Sequence, residues 1–128
     1  MPALKIYLVE NSPLIRQELI ATLEELADVQ VVGWADNEAA AVAWLTDPVN
    51  SPGLVIVDLH LDSGSGLGVL RALQHRAQRL CKVVLSNDTS PWVGRRCLEL
   101  GADRVFDKSG DIEELLSYGL ASARPHHG

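Results

Sequence analysis

The sequence has few cysteines, an excess of acidic over basic residues and no long apolar run. Its two cysteines, Cys81 and Cys97, lack the short spacing of a zinc or redox motif, and we expect both to be small buried hydrophobes. Eleven Lys and Arg residues against seventeen Asp and Glu residues give a net charge of −6. Because this charge repels phosphate backbones and anionic lipid, direct binding to nucleic acid or to a membrane is not expected.

Membrane insertion and export are not expected either. No stretch approaches the roughly 20 consecutive apolar residues that cross a bilayer. The residues from Met1 to Lys5 lack the basic region and apolar segment of a signal peptide. We therefore expect a cytoplasmic protein. With 128 residues, of which 47% are hydrophobic, we expect one globular domain with a packed core and no second folded output domain.

Apolar runs and helical patterns alternate along the chain. The runs predict five strands, at 4–9, 29–35, 54–57, 82–86 and 104–107. Turn and cap residues predict a helix after each strand, beginning near Pro13, Asn37, Gly66, Pro91 and Asp111. This alternation is typical of an α/β fold with a doubly wound, five-stranded parallel sheet, helices on both faces and the flavodoxin-like order 2-1-3-4-5. We expect the domain to cover 1–123 and a flexible tail to follow at 124–128.

Polar side chains follow four of the predicted strands. Glu10 and Asn11 come after the first, Asp58 after the third, Ser86 at the end of the fourth and Lys108 after the fifth. Each alone has an ordinary structural explanation, such as a helix cap for Asn11 or a solvated charge for Lys108. Because the carboxyl ends of parallel strands share one edge of a sheet, we expect these five side chains to converge there.

From residue 3 to about residue 123 the sequence resembles the response regulator receiver family. The likeness is carried by 8–16, by 57–61 with Gly66, and by 84–87, 101–103 and 106–109. The resemblance implies that Asp58 is the phosphoacceptor, Glu10 and Asn11 the metal-binding pair, Ser86 the switch hydroxyl and Lys108 the family's lysine. It further implies a single-domain regulator of two-component signalling or a phosphorelay. Such a protein takes its phosphoryl group from a sensor histidine kinase or a phosphotransfer protein, and is a switch rather than a turnover enzyme.

The cofactor implied by this resemblance is Mg²⁺. A carboxylate that attacks a phosphoryl group brings two anions together, so the site needs a divalent cation and a fixed positive charge. Mg²⁺ prefers oxygen ligands and usually keeps several waters. We expect oxygens of Asp58 and Asn11, the backbone carbonyl of His60 and waters held by Glu10 to surround it, with Lys108 beside the phosphoryl oxygens.

Three positions depart from the family pattern. Asn11 stands where the pair normally ends in Asp, Val105 where a switch aromatic is usual, with Phe106 beside it, and Ser109 where Pro is usual. Loss of a negative charge at Asn11 predicts weaker Mg²⁺ binding than in typical receivers. Asn11 and Val105 leave open an alternative function, a degenerate receiver that acts as a phosphorylation-independent protein-interaction module.

The fourth predicted helix has a polar outer side. Trp92, Arg95, Arg96 and Glu99 lie opposite its core-facing stripe. We expect Trp92, Arg95 and Phe106 to form a partner face for an unidentified downstream protein or a weak homodimer. A solvated helix with one partly covered Trp is the alternative. Trp34 and Trp44 are expected to be packing residues.

Overall fold

The computed structural model describes residues 3–25, 28–75, 79–87, 90–108, 114–115, 117–118 and 121. In chain order the elements are β1 (Leu4–Val9), α1 (Pro13–Glu24), β2 (Val29–Ala35), α2 (Glu38–Leu45), β3 (Leu54–Asp58), α3 (Gly66–Leu73), β4 (Cys81–Ser86), α4 (Pro91–Glu99) and β5 (Arg104–Asp107). The strands form one five-stranded parallel sheet in the order β2-β1-β3-β4-β5. This order confirms the predicted fold class.

The strands begin and end close to the predicted residues. β3 runs one residue further than expected, so that Asp58 is its last residue, and β4 begins one residue earlier, at Cys81. Residues 114–115, 117–118 and 121 are helical. The predicted start of this fifth helix, at Asp111, lies outside the described residues, and so do Ser109 and the predicted tail at 124–128. Across the described ranges, no helix has the length and apolar character needed to span a membrane.

Polar cap residues mark the starts of three helices. Each of these helices begins after the loop that follows a strand. Ser12, Asn37 and Ser65 each accept a hydrogen bond from the backbone amide three residues further on, at the starts of α1, α2 and α3. A side chain of this kind satisfies one of the backbone N–H groups that have no partner within the helix. The helices therefore begin at the edge of the sheet where β1 and β3 end.

The two faces of the sheet are covered by different helices. Leu19 and Leu23 of α1, together with Leu115, pack on one face, where Ile6, Leu8 and Ile56 point. The other face is covered by apolar side chains of α2, α3 and α4, listed here by helix: Ala41 and Leu45; Val69, Leu70 and Leu73; Val93 and Cys97. Both cysteines are buried and free, as expected. The carboxyl edge is thus the side where polar groups enter an otherwise apolar interior.

The two tryptophans expected to pack differ in their surroundings. Trp44 stacks on Tyr7 with 4.2 Å between ring centroids. Trp34, in contrast, is 48% exposed, and the guanidinium of Arg16 lies 3.7 Å from the centre of its ring. The prediction for Trp34 was wrong because β2 is the edge strand of the sheet and leaves this side chain half exposed. The Arg16 side chain covers the ring from one side, whereas a position in the core would bury it completely.

Candidate functional site

Three charged side chains meet at the carboxyl edge of the sheet. The Nζ atom of Lys108 lies 3.0 Å from Oε2 of Glu10 and 2.9 Å from Oδ2 of Asp58. Glu10 follows β1, Asp58 ends β3 and Lys108 follows β5. Since β1 pairs with β3 in parallel and β4 alone separates β3 from β5, the Lys108 side chain reaches both carboxylates past the end of β4. The expected convergence of these three residues is confirmed.

Backbone amides fix both carboxylates. The Ser12 amide donates to Oε2 of Glu10 at 2.8 Å, and the His60 amide donates to Oδ1 of Asp58 at 3.1 Å. Asp58 therefore has one oxygen held by a backbone amide and the other by the Lys108 ammonium, which sets the plane of its carboxylate. The guanidinium of Arg16 donates to the backbone carbonyl of Glu10 at 3.1 Å and holds the chain after β1.

The cluster is almost completely buried and carries an excess of negative charge. Glu10 and Asp58 are each 2% exposed, and the Lys108 side chain is 7% exposed. Burial raises the pKa of the Glu10 carboxyl, the Ser12 amide opposes this shift, and Asp58 adds to it. Burial lowers the pKa of Lys108, but its hydrogen bonds to Asp58 and Glu10 outweigh that effect, so the pKa is raised. Because two carboxylates face one ammonium, the cluster has a net negative charge, which favours the binding of another cation.

Ser86, Asn11 and His60 complete the predicted set. Ser86 ends β4, is 1% exposed, and its carbonyl accepts a hydrogen bond from the Lys108 amide at 2.9 Å. Asn11 directly follows Glu10 and is half-buried. His60, two residues after Asp58, is exposed at the start of the β3–α3 loop. All three lie at the same edge as the charged cluster.

The donor set matches what Mg²⁺ takes from proteins. Two buried carboxylates, the Asn11 amide oxygen and the backbone carbonyl of His60 are all hard oxygen donors. Within the described ranges, no group of three or more His, Cys, Asp and Glu side chains is placed to hold a metal. Mg²⁺ is usually bound through one or two carboxylates together with waters.

The loop after the phosphoacceptor candidate is closely packed. The Gly66 amide donates to the Leu59 carbonyl at 3.0 Å, and His60 and Ser65 form an antiparallel β-bridge. A Cβ at Gly66 would collide with the backbone carbonyl of Asp58 and lie 2.9 Å from Cα of Leu59. The absence of a side chain at Gly66 therefore allows α3 to begin directly against the end of β3.

The predicted partner face is divided between two sides of the sheet. Trp92 is 65% exposed and Arg95 is exposed on α4. Phe106, in contrast, is half-buried against the core cluster on the opposite face of the sheet, where its ring lies 5.9 Å from that of Tyr118. Val105 is the β5 residue that packs on the α4 side. Neighbouring strand residues point to opposite faces, so Phe106 does not lie beside Trp92, and the partner role of Trp92, Arg95 and Phe106 stays a prediction.

Two residues near the site received no role in the sequence analysis. Arg16 holds the Glu10 carbonyl, and Glu38, at the start of α2, accepts a hydrogen bond from the Ser65 amide. In the sequence, the feature that marks Glu38 is its position next to the helix cap Asn37. Its partner lies 27 residues away, and no local pattern links the two segments.

Comparison with known proteins gives a consistent result. Residues 6–118 match the family model of the response regulator receiver domain. A transcriptional regulatory protein of Picosynechococcus sp. is 31% identical over 118 residues, which cover 88% of this chain and 46% of that protein. The chain thus spans about half the length, or less, of the curated relatives it matches.

Solved structures share the fold. The signal receiver domain of the response regulator NarL from Mycobacterium tuberculosis superposes with a TM-score of 0.86 at 22% identity, covering 96% of this chain and 98% of that one. The response regulator domain of CheB from Thermotoga maritima gives a TM-score of 0.83 at 18% identity, covering 98% and 99%. With the match of 113 residues, from 6 to 118, to the family model, the chain belongs to the response regulator receiver domain family.

Proposed function

We propose that this receiver domain accepts a phosphoryl group on Asp58 from a histidine kinase or a phosphotransfer protein, in a reaction that depends on Mg²⁺. One observation carries the proposal: the Lys108 ammonium contacts both buried carboxylates, at 3.0 Å and 2.9 Å. An anionic nucleophile and an anionic phosphoryl donor repel each other, and a fixed cation within reach of both lowers that cost. The excess negative charge of the cluster supports the binding of a divalent cation.

The transfer step forms a bond between a carboxylate oxygen of Asp58 and phosphorus. The bond from phosphorus to the imidazole nitrogen of the donor breaks, and the leaving imidazole takes a proton from water. Lys108 holds the phosphoryl oxygens as a point charge, and the Ser86 hydroxyl donates to one of them. When bound by Glu10, Asn11, Asp58 and the His60 carbonyl, Mg²⁺ supplies the remaining positive charge.

Mass spectrometry after incubation with acetyl phosphate and Mg²⁺ tests this proposal. We expect a mass gain of one phosphoryl group, which chelation of the metal abolishes. Asp58→Asn should take up none, because an amide is a poor nucleophile. Asp62→Asn, which changes an exposed Asp in the following loop, should react like the unchanged protein and serves as the matched control. Modification of Asp58→Asn at the normal level contradicts the assignment.

Asn11 sets the strength of metal binding in this proposal. An amide keeps one oxygen donor but removes a negative charge next to the cation, so Asn11→Asp should bind Mg²⁺ several-fold more tightly. Calorimetric titration with Mg²⁺ measures the change. Equal affinity of the two proteins means that the side chain at position 11 does not face the metal.

A degenerate receiver that works as a constitutive interaction module is the second candidate. It is favoured by Asn11 and by Val105, which packs among apolar side chains where the family has a switch aromatic. Beryllofluoride, a mimic of the phosphoryl group, separates the two candidates. No modification by acetyl phosphate and no binding of beryllofluoride at any Mg²⁺ concentration support the interaction module.

The output of the phosphorylated domain is proposed to be docking to another protein in the cytoplasm, not turnover of a substrate. The net charge of −6 supports a protein partner over direct contact with nucleic acid. Trp92 and Arg95 are exposed on α4 and form the first surface to test. Alanine at both positions should weaken self-association in sedimentation experiments or binding to a candidate partner, while the circular dichroism spectrum stays unchanged.

A further inference from the structure

The β3–α3 loop is tied to the start of α2 by three hydrogen bonds. Oε1 of Glu38 accepts from the Ser65 amide at 2.9 Å. The Glu38 amide donates to the Ser63 carbonyl at 2.9 Å, and the Asp62 amide donates to the Asp36 carbonyl at 3.1 Å. The side-chain bond is the one of the three that a substitution at position 38 can remove, and its acceptor is a carboxylate, which makes it the stronger kind.

Two glycines provide the space for this carboxylate. A Cβ at Gly68 would collide with the carboxylate of Glu38, and one at Gly64 would collide with the Cβ of Glu38. Gly64 also has a φ of 78°, a backbone conformation that side chains disfavour. The Glu38 side chain therefore lies in a slot between the loop and the first turn of α3.

Backbone contacts continue from this slot to the phosphoacceptor candidate. Ser65, held by Glu38, faces His60 in an antiparallel β-bridge, whose hydrogen bond runs from the Gly66 amide to the Leu59 carbonyl at 3.0 Å. The His60 amide donates to Oδ1 of Asp58 at 3.1 Å, and the His60 carbonyl is the proposed backbone ligand of Mg²⁺. Glu38 is thus connected to Asp58 through Ser65 and His60, although it contacts neither Asp58 nor the cluster of Glu10 and Lys108.

We propose that Glu38 is a positioning residue for phosphorylation, because its carboxylate fixes Ser65 and thereby places the His60 amide and carbonyl against Asp58. This inference rests on the proposed Mg²⁺-dependent reaction and assigns part of its efficiency to a residue on another helix. Without the carboxylate, the Ser65 amide loses its acceptor, and the bridge to His60 loses its support on the α2 side. The metal ligand and the donor to Asp58 then sample a wider range of positions.

The test compares four single variants and one double variant, Glu38→Ala with Gly68→Ala, with the unchanged chain. Glu38→Ala removes the acceptor, Glu38→Gln keeps a neutral oxygen in its place, and Gly68→Ala pushes the carboxylate out of the slot. Glu18→Ala, which changes an exposed Glu of α1, is the matched control. Amide hydrogen exchange at Ser65, Mg²⁺ affinity by calorimetry and the rate of phosphorylation by acetyl phosphate are measured for each, with urea unfolding to separate changes in overall stability.

We expect Glu38→Ala to exchange the Ser65 amide about tenfold faster, the factor that one hydrogen bond to a charged group is worth. Mg²⁺ affinity and phosphorylation rate should fall with it by a similar factor. Glu38→Gln should recover most of the loss, and Glu18→Ala should show none. Gly68→Ala should resemble Glu38→Ala when made alone, and should have no further effect on Mg²⁺ affinity in the Glu38→Ala background. If Glu38→Ala does not fold, Glu38→Gln and Gly68→Ala carry the comparison.

Faster exchange at Ser65 with unchanged Mg²⁺ affinity and phosphorylation rate would show that Glu38 only stabilises the loop, and would overturn the positioning role. Loss of global stability alone, with the same Mg²⁺ affinity in the folded fraction, would overturn it as well. Failure of the unchanged chain to take up a phosphoryl group is a different result, because it contradicts the proposed function together with the inference that rests on it.

Discussion

Ion pairs occur in two very different surroundings in this molecule. At the carboxyl edge, Lys108 contacts Glu10 and Asp58, and all three side chains are at most 7% exposed. On α4, Arg96 lies 3.4 Å from Glu99, and these side chains are 45% and 65% exposed. Removing one partner of a buried pair leaves an uncompensated charge and costs about 3–5 kcal/mol, whereas exposed pairs contribute about 0–1 kcal/mol. Pairs of a basic side chain with a carboxylate therefore contribute very different amounts of free energy in the two surroundings.

The two surroundings also differ in how the pairs are assembled. Lys108 is 98 residues from Glu10 and 50 from Asp58, so the cluster forms only when the sheet is complete. Arg96 and Glu99 are neighbours on one helix. The buried cluster thus depends on the whole fold, and substitutions there should affect stability and chemistry together. Substitutions of the exposed charged residues on the outer side of α4 should have little effect on stability.

The largest effect is expected for Lys108→Met. Methionine fills a similar volume but leaves two buried carboxylates without their cation, so the free energy of unfolding at pH 7 should fall by about 3 kcal/mol. Addition of Mg²⁺ should recover part of the loss, because the metal supplies positive charge at the same place. Urea unfolding followed by circular dichroism measures both. Lys5→Met, at an exposed position of β1, should change stability by less than about 0.5 kcal/mol. An equal effect of the two substitutions would contradict the comparison.

A pair of glycine substitutions should give effects of opposite sign. Gly66→Ala places a Cβ against the Asp58 carbonyl and Cα of Leu59, and overpacking of this kind costs about 1–3 kcal/mol. Gly94→Ala, within α4, meets nothing within 4 Å and should stabilise the protein by about 0.5–1 kcal/mol, because alanine favours the helix. Thermal unfolding of the two variants measures the difference, and a stabilising Gly66→Ala would show that the loop after Asp58 adjusts freely.

The sequence was sufficient to predict the parts of the molecule that local patterns specify. The continuous apolar run from Leu54 to Val57 predicts a central strand, and cap residues such as Asn37 predict the helix starts. The convergence of Glu10, Asp58 and Lys108 followed from the strand order, since parallel strands end at one edge. In these cases the position of each residue in the fold depends on its own segment and on a strand order that has few alternatives.

Contacts between segments could not be predicted in this way. The bond from the Ser65 amide to Glu38 joins the β3–α3 loop to α2, and its formation depends on the distance between two helices. The exposure of Trp34 depends on how far α1 covers the edge strand. The separation of Phe106 from Trp92 is a different case, because strand alternation already assigns Val105 and Phe106 to opposite faces.

A smaller effect on stability is expected at Tyr7, where burial alone shifts the pKa of the side chain. Burial raises the pKa of its phenol from 10.0 to about 12. Between these values the unfolded chain has lost the proton while the folded protein keeps it, so the folded state binds more protons and the free energy of unfolding falls as the pH rises. We expect Tyr7 to contribute a loss of about 1 kcal/mol between pH 10 and pH 11. Urea unfolding of Tyr7→Phe, which preserves the stack on Trp44, should show a loss smaller by this amount, and identical pH profiles would contradict the assignment.

The smallest effect is expected for Arg96→Ala. The substitution removes the exposed pair with Glu99 and a positive charge in the last turn of α4, each worth about 0.3–0.5 kcal/mol at low salt. Alanine, however, favours the helix slightly more than arginine. We expect a net change of less than about 0.5 kcal/mol in urea unfolding. The electrostatic part of the loss should vanish in about 1 M salt, because exposed charges are screened there. A loss near that of Lys108→Met would mean that α4 is held by its charges. A change within the expected range means that residues on this side of α4 can be exchanged without harm to the fold, which is the freedom that a surface for partner recognition requires.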